Sequence, residues 1–197
     1  MIIKIKSMWF VGIDVSSRKG NAVAILNKNL KLETLFTSSN ADELANKIFE
    51  FTGSNAIVAI DAPRIPSKGK GWGRKCEKIL AKLGYRPLWT PPKEEFKKKE
   101  KKPSCVWMEK GFLIYKELYR LFDKENIIEV YPSAAYGFFK RTVIKLDFNL
   151  FTRKNRTDEL DAICSAVVAY FYYKGDYREI GDEKEVKIIL PGKRRLL

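Results

Sequence analysis

Several acidic residues of this chain stand where packing alone would not put them. Asp14 interrupts the apolar run from Met8 to Val15, and Asp61 closes the apolar run Ala56 to Asp61. Glu129 sits within Asn126 to Tyr131, and Asp158 and Asp161 stand three positions apart on a helical stretch, hence on one helix face. A carboxylate on a buried strand is costly unless a cation or hydrogen-bond donors compensate it. Several carboxylates converging from strand ends would repel one another unless a divalent metal neutralised them. Each also has a purely structural reading. Asp61 alone fits a cap for the loop that follows, Glu129 fits a solvent-facing edge residue, and Asp158 suits the dipole of a first helical turn. Asp161, one turn further in, gains less from that dipole.

The absence of histidine narrows the chemistry these groups can do. A Ser/His/Asp triad, a Cys/His dyad, an imidazole base and a His-containing zinc site are all excluded. Acid-base work is left to carboxylates, lysines, tyrosines or metal-bound water. Across 197 residues, 38 Lys and Arg face 24 Asp and Glu, a formal charge of +14. That surplus points to a polyanionic partner, because a summed positive field attracts phosphate and releases its counterions. The three cysteines, Cys76, Cys105 and Cys164, are scattered and odd in number. They make neither a disulfide framework nor a metal knuckle, so a reducing, cytoplasmic compartment is expected. Met1 to Lys6 alternates Ile and Lys without a signal peptide's apolar centre, and no run approaches the roughly 18 apolar residues of a membrane span.

The elements that must position these carboxylates follow from the apolar pattern. Met8 to Val15 reads as a central strand, and Asn21 to Leu26 with Leu30 to Thr37 reads as a hairpin across Asn27-Lys28-Asn29. Ser39 or Asn40 caps a helix running to Phe51, and AIVAID is a fourth strand stopped by Pro63 and Pro66. A helix over 73–83, a long helix over 104–122, a fifth strand over 126–131, a short helix after Pro132 and a helix from Thr157 to Tyr173 complete the order, with a short closing strand over 185–190. The length suits a single domain over 1–197. Residues 91–103, with the charge run Lys93 to Lys102, read as a mobile excursion, and 104–123 as an inserted helix.

Basic residues crowd two places. From Arg64 to Arg86 every charged residue but Glu77 is basic, and Lys68, Lys70, Trp72, Arg74 and Lys75 follow closely on Asp61. Such a loop is expected to overhang the acidic site, offer backbone N–H groups to phosphate and stack Trp72 on a base. A second cluster, Lys140, Arg141, Lys145, Arg153, Lys154 and Arg156, ends just before the last helix. There Arg153, Lys154 and Arg156 are expected to clamp a phosphate.

The segments GID at 12–14, AIDAP at 59–63, RKCE at 74–77, EVYP at 129–132 and TDELDA at 157–162 resemble, in order, the motifs of domain-of-unknown-function family 429. The family is regarded as predicted nucleases of the ribonuclease H-like fold. The resemblance implies an α/β fold with a mixed five-stranded sheet flanked by helices and carrying a helical and basic insertion. It also implies that the fourth strand lies beside the first, with the last helix near both. Asp14, Asp61 and the Asp158/Asp161 pair would then converge, joined or supported by Glu129. After AIDAP, Arg64-Ile65-Pro66 replaces the small or apolar residues usual in the family.

The reaction expected from that geometry is phosphodiester hydrolysis in DNA or RNA by two Mg²⁺ or Mn²⁺ ions, which needs no histidine. Asp14, Asp61 and Asp161 are the expected catalytic ligands, assisted by Asp158 or Glu129. The alternative is a nucleic-acid-binding protein of the same fold without turnover. A sugar-kinase or actin-like ATPase relative is disfavoured by the short chain and by Ser16 in place of a glycine two residues after Asp14.

Overall fold

A computed structural model describes residues 8–139 and 158–192. The first apolar run forms β1 (Trp9–Asp14), followed by β2 (Asn21–Leu26) and β3 (Leu32–Ser38) as antiparallel neighbours. Asn40 caps α1 (Ala41–Thr52), its side chain accepting from the N–H groups of Asp42 and Glu43 at 2.9 and 3.1 Å. Then come β4 (Ala56–Asp61), α2 (Lys75–Lys82), α3 (Pro103–Leu118), β5 (Ile127–Val130), α4 (Pro132–Phe139), α5 (Asp158–Tyr173), β6 (Tyr177–Gly181) and β7 (Lys187–Pro191). The strands join in one mixed sheet of order β3-β2-β1-β4-β5-β7-β6. In it β1, β4, β5 and β7 run parallel, while β6 is antiparallel to β7.

The protein is therefore mixed α/β, and among the described residues its sheet has seven strands, against the five that the family resemblance implied. β7 begins two residues later than the expected closing strand. The unanticipated β6 reads Tyr-Arg-Glu-Ile-Gly, with all five residues half-buried. An edge strand with no apolar alternation carries little signal in sequence, and only its pairing with β7 reveals it.

Both faces of the sheet are covered, which explains why β1 and β4 are apolar throughout. Helices α4 and α5 pack with Phe10, Ile57, Ala59, Ile128 and Val130 on one face. Helices α1 and α3 pack with Val11, Ile13, Val58, Ile60 and Ile127 on the other, where α2 also covers Val186, Ile188 and Leu190. Among the described residues no helix is long and apolar enough to cross a membrane.

The approach of α5 to β1 is set by Gly12. A Cβ at that position would lie 1.9 Å from the Ala162 carbonyl oxygen and 2.3 Å from the Ala166 nitrogen. Ala162, Ser165, Ala166 and Ala169 are buried on the helix, the small residues that such closeness requires. Because the obstacles are backbone atoms, Gly12→Ala must push the helix away and is expected to cost about 1–3 kcal/mol. Urea unfolding measures this directly, and an unchanged midpoint would contradict so close a contact.

Segment 91–103 is exposed along most of its charge run but makes specific contacts. The Phe96 ring meets Phe112 of α3 edge-on at 5.2 Å, and Lys101 pairs with Glu109 at 2.6 Å.

Candidate functional site

Asp14 and Asp61 are the last residues of adjacent parallel strands and are register partners, so both side chains leave the sheet on the α5 face. Asp161, in the first turn of α5, comes down onto the same point, and one carboxylate oxygen from each residue lies within 4.8 Å of the others. Asp14 and Asp61 are half-buried and Asp161 is buried. The Tyr136 hydroxyl of α4 donates to Asp161 Oδ1, and Ser165 Oγ donates to the Asp161 carbonyl at 2.8 Å.

The loops leaving both strands are held from the opposite side by α3. Trp107 Nε1 donates to the Val15 carbonyl at 2.5 Å, and Lys110 Nζ donates to the carbonyls of Ser16 and Ser17 at 3.2 and 2.9 Å. Tyr115 donates its hydroxyl to the Ala62 carbonyl at 3.1 Å. The acidic site is thus built on rigid strand ends with the loops beyond them tied down. Three converging carboxylates repel one another, and their oxygens are the ligands that hard divalent ions select.

Asp158 opens α5 and borders the same cleft of about 350 Å³ as Asp14, together with Ser17, Leu88 and Trp107. Its carboxylate stands outside the close trio. Glu129 is not one of the three carboxylates that meet, although it lines a cavity with Asp61. It pairs in register with Ile60, one residue before Asp61, and successive strand residues face opposite sides, so Glu129 projects from the α3 face. Both its oxygens are engaged there: Arg74 donates to them at 2.5 and 2.9 Å, and the Arg64 N–H donates to Oε2 at 2.8 Å. Its oxygens are thus held by Arg74 and the Arg64 N–H, away from the close trio.

Arg74 likewise departs from its expected role on phosphate. Its side chain is buried between Glu129 and Glu77, with Nε donating to Glu77 Oε1 at 2.8 Å. Glu77 also accepts from the Arg74 and Thr90 N–H groups at 3.0 and 2.9 Å and from the Thr90 hydroxyl. Burial disfavours the Arg74 charge, but Glu129 first and then Glu77 outweigh it and hold the guanidinium protonated beyond its ordinary range. The motifs RKCE and EVYP therefore meet in one buried ion-pair network. Cys76 packs beside it, and burial, opposed by Arg74 and reinforced by Glu129, pushes its thiol up to about 12. A neutral, buried thiol is a poor nucleophile. All three cysteines are buried, so none is expected to react with a thiol reagent at pH 8 until the protein is denatured. Rapid labelling of Cys76 in the native protein would contradict this placement.

The remaining basic candidates divide. Lys68 donates its ammonium to the Lys184 carbonyl and its N–H to Glu185 at 3.1 Å, while Lys75 pairs with Asp182 at 3.0 Å. These bonds draw the loop after Asp61 toward the β6–β7 turn. Both lysine residues are exposed, as is Lys70, while Trp72 is half-buried with the Lys102 ammonium 4.6 Å above its ring. Arg64, the unusual residue after AIDAP, donates to the Ile127 carbonyl and stacks on Tyr115 at 5.4 Å. Arg153, Lys154 and Arg156, with Lys140, Arg141 and Lys145, lie outside the described residues.

Tyr136 and Trp107 belong to none of the sequence motifs, and Glu77 enters only as the last residue of RKCE. Tyr136 follows EVYP by one helical turn, which is the only sequence signal it offers.

Fold and site define a mixed α/β protein with an acidic centre at the carboxyl ends of two central parallel strands, where open α/β sheets place their ligands. The chain belongs to the family described as Protein of unknown function (DUF429), whose model matches residues 12–149. That match contains Asp14, Asp61 and the Arg74–Glu129 pair and ends before α5, which supplies Asp161. No curated protein and no solved structure matched the chain.

Proposed function

We propose that the protein is a metal-dependent nuclease of ribonuclease H-like fold that hydrolyses phosphodiester bonds in nucleic acid. The observation that carries this reading is the meeting of Asp14, Asp61 and Asp161 within 4.8 Å. The position of β4 beside β1, with α5 over both, supports the fold assignment.

The residues fit Mg²⁺ or Mn²⁺, since all three donors are carboxylate oxygens on well-supported backbone. Asp14, Asp61 and Asp161 would hold the ions, each offering one carboxylate oxygen to the same point. Bound divalent ions supply an activated water and neutralise charge on the leaving oxygen. The chain's own part is to aim the ligands: Tyr136 fixes the Asp161 carboxylate, and the Gly12 contact fixes the height of α5 above β1. Asp158 stands beside Asp14, where it can orient a water or a further ligand. The overall charge of +14 favours a polyanionic substrate.

Incubation with labelled DNA and RNA, single-stranded and duplex, in Mn²⁺ or in EDTA tests the reading. Cleavage restricted to the metal-containing reactions is expected. Salt-sensitive binding without cleavage of any substrate would favour the binding protein of the same fold instead.

A further inference from the structure

Two cavities flank the carboxylate trio. The cleft with Asp14 and Asp158 holds about 350 Å³, and a second cavity of about 230 Å³ is bounded by Asp61. Leu88 and Trp107 line both, so they form the ridge between them. Leu88 is 59% exposed, a large apolar side chain standing in solvent beside an acidic centre.

The cavity beside Asp61 is lined by two aromatic side chains, a proline and a buried polar network. Trp107, Pro87 and Tyr131 line its sides, and Arg86 borders it as an exposed cation that pairs with no carboxylate among the described residues. Its buried polar residues are Arg74, Glu77 and Glu129, in which one guanidinium serves two carboxylates. The aromatic lining suits a planar ring, and Arg86 is the exposed cation that can meet the phosphate attached to it. The cavity's volume falls below the roughly 300–1,000 Å³ typical of drug-sized ligands and is far too small for a base pair.

Resting on the nuclease reading, we infer that this cavity receives the nucleobase of an unpaired nucleotide beside the cleaved bond. Leu88 acts as a wedge between that base and its neighbour, and Arg86 contacts the flanking phosphate. Apolar wedges that part adjacent bases, and aromatic walls that take a base out of the stack, are recurrent solutions to this problem. The substrate class is thereby narrowed to single-stranded or locally unpaired DNA or RNA.

Binding and cleavage, measured separately, test the assignment. Fluorescence anisotropy in Ca²⁺ is read with oligo-dT, oligo-U, oligo-dT carrying internal abasic units, and a blunt duplex. At least one unpaired strand is expected to bind about tenfold tighter than the duplex, with the abasic strand weaker by a similar factor. Leu88→Ala, on an exposed residue, is expected to weaken the unpaired strand several-fold and leave duplex binding unchanged. Equal binding of duplex and single strand, or of abasic and intact strands, overturns the base pocket even if Mn²⁺-dependent cleavage is robust. The expected binding order without cleavage of any substrate leaves the pocket assigned and overturns the nuclease reading alone.

Discussion

Asp14→Asn is expected to lower metal-dependent cleavage of nucleic acid by about 10²–10³-fold, the cost of removing one principal electrostatic contributor to a polar transition state. The change preserves side-chain volume at the end of a strand whose packing residues, Val11 and Ile13 on one face and Phe10 on the other, are untouched. The fold should therefore survive, and circular dichroism and the elution volume should match the wild type. What is lost is one anionic donor of three that meet within 4.8 Å. A ligand that binds only the folded state stabilises it by about 2.7 kcal/mol at a hundred times its dissociation constant. Saturating Mn²⁺ should accordingly raise the melting temperature of the wild type and leave that of Asp14→Asn nearly unmoved. An Asn variant that cleaves at the wild-type rate would remove Asp14 from the mechanism.

The second large effect is on stability. Arg74→Met is expected to cost about 3–5 kcal/mol, because it leaves two carboxylates, Glu77 and Glu129, buried without their shared cation. Domains of this size have only about 5–15 kcal/mol to lose. Glu129→Gln should cost less, since Arg74 keeps Glu77 as a partner. Urea unfolding of both variants measures the difference. A cost for Arg74→Met below about 1 kcal/mol would show that the network is not buried as described. Two carboxylates that look alike in sequence are thereby expected to differ: Glu129→Gln should act on stability, and Asp14→Asn on the proposed reaction.

The acidic centre was legible because its residues break a rule. Asp14 and Asp61 end apolar strands, and no packing argument accounts for them, while the run of small residues after Asp161 signals a helix lying close to a sheet. Glu129 breaks the same rule just as visibly, yet its carboxylate pairs with Arg74 and stands outside the trio. Whether a strand residue faces one side of a sheet or the other depends on register with a neighbour, and the pairing of Glu129 with Ile60 rather than Asp61 is a one-residue matter that no local pattern encodes. Its partner was hidden for a related reason. Arg74 belongs to a run that reads as a solvated basic loop, and only the tertiary fold brings it to a carboxylate 55 residues away. The β6 strand escaped notice because it buries little and is defined by its hydrogen bonds to β7.

The proposed reaction needs divalent ions held by Asp14, Asp61 and Asp161. Crystals grown with Mn²⁺ and measured for anomalous scattering test it most directly. Anomalous peaks are expected in contact with the carboxylates of Asp14, Asp61 and Asp161, and none after growth of Asp14→Asn crystals under the same conditions. Well-ordered aspartates with no anomalous density among them at millimolar Mn²⁺ would contradict it.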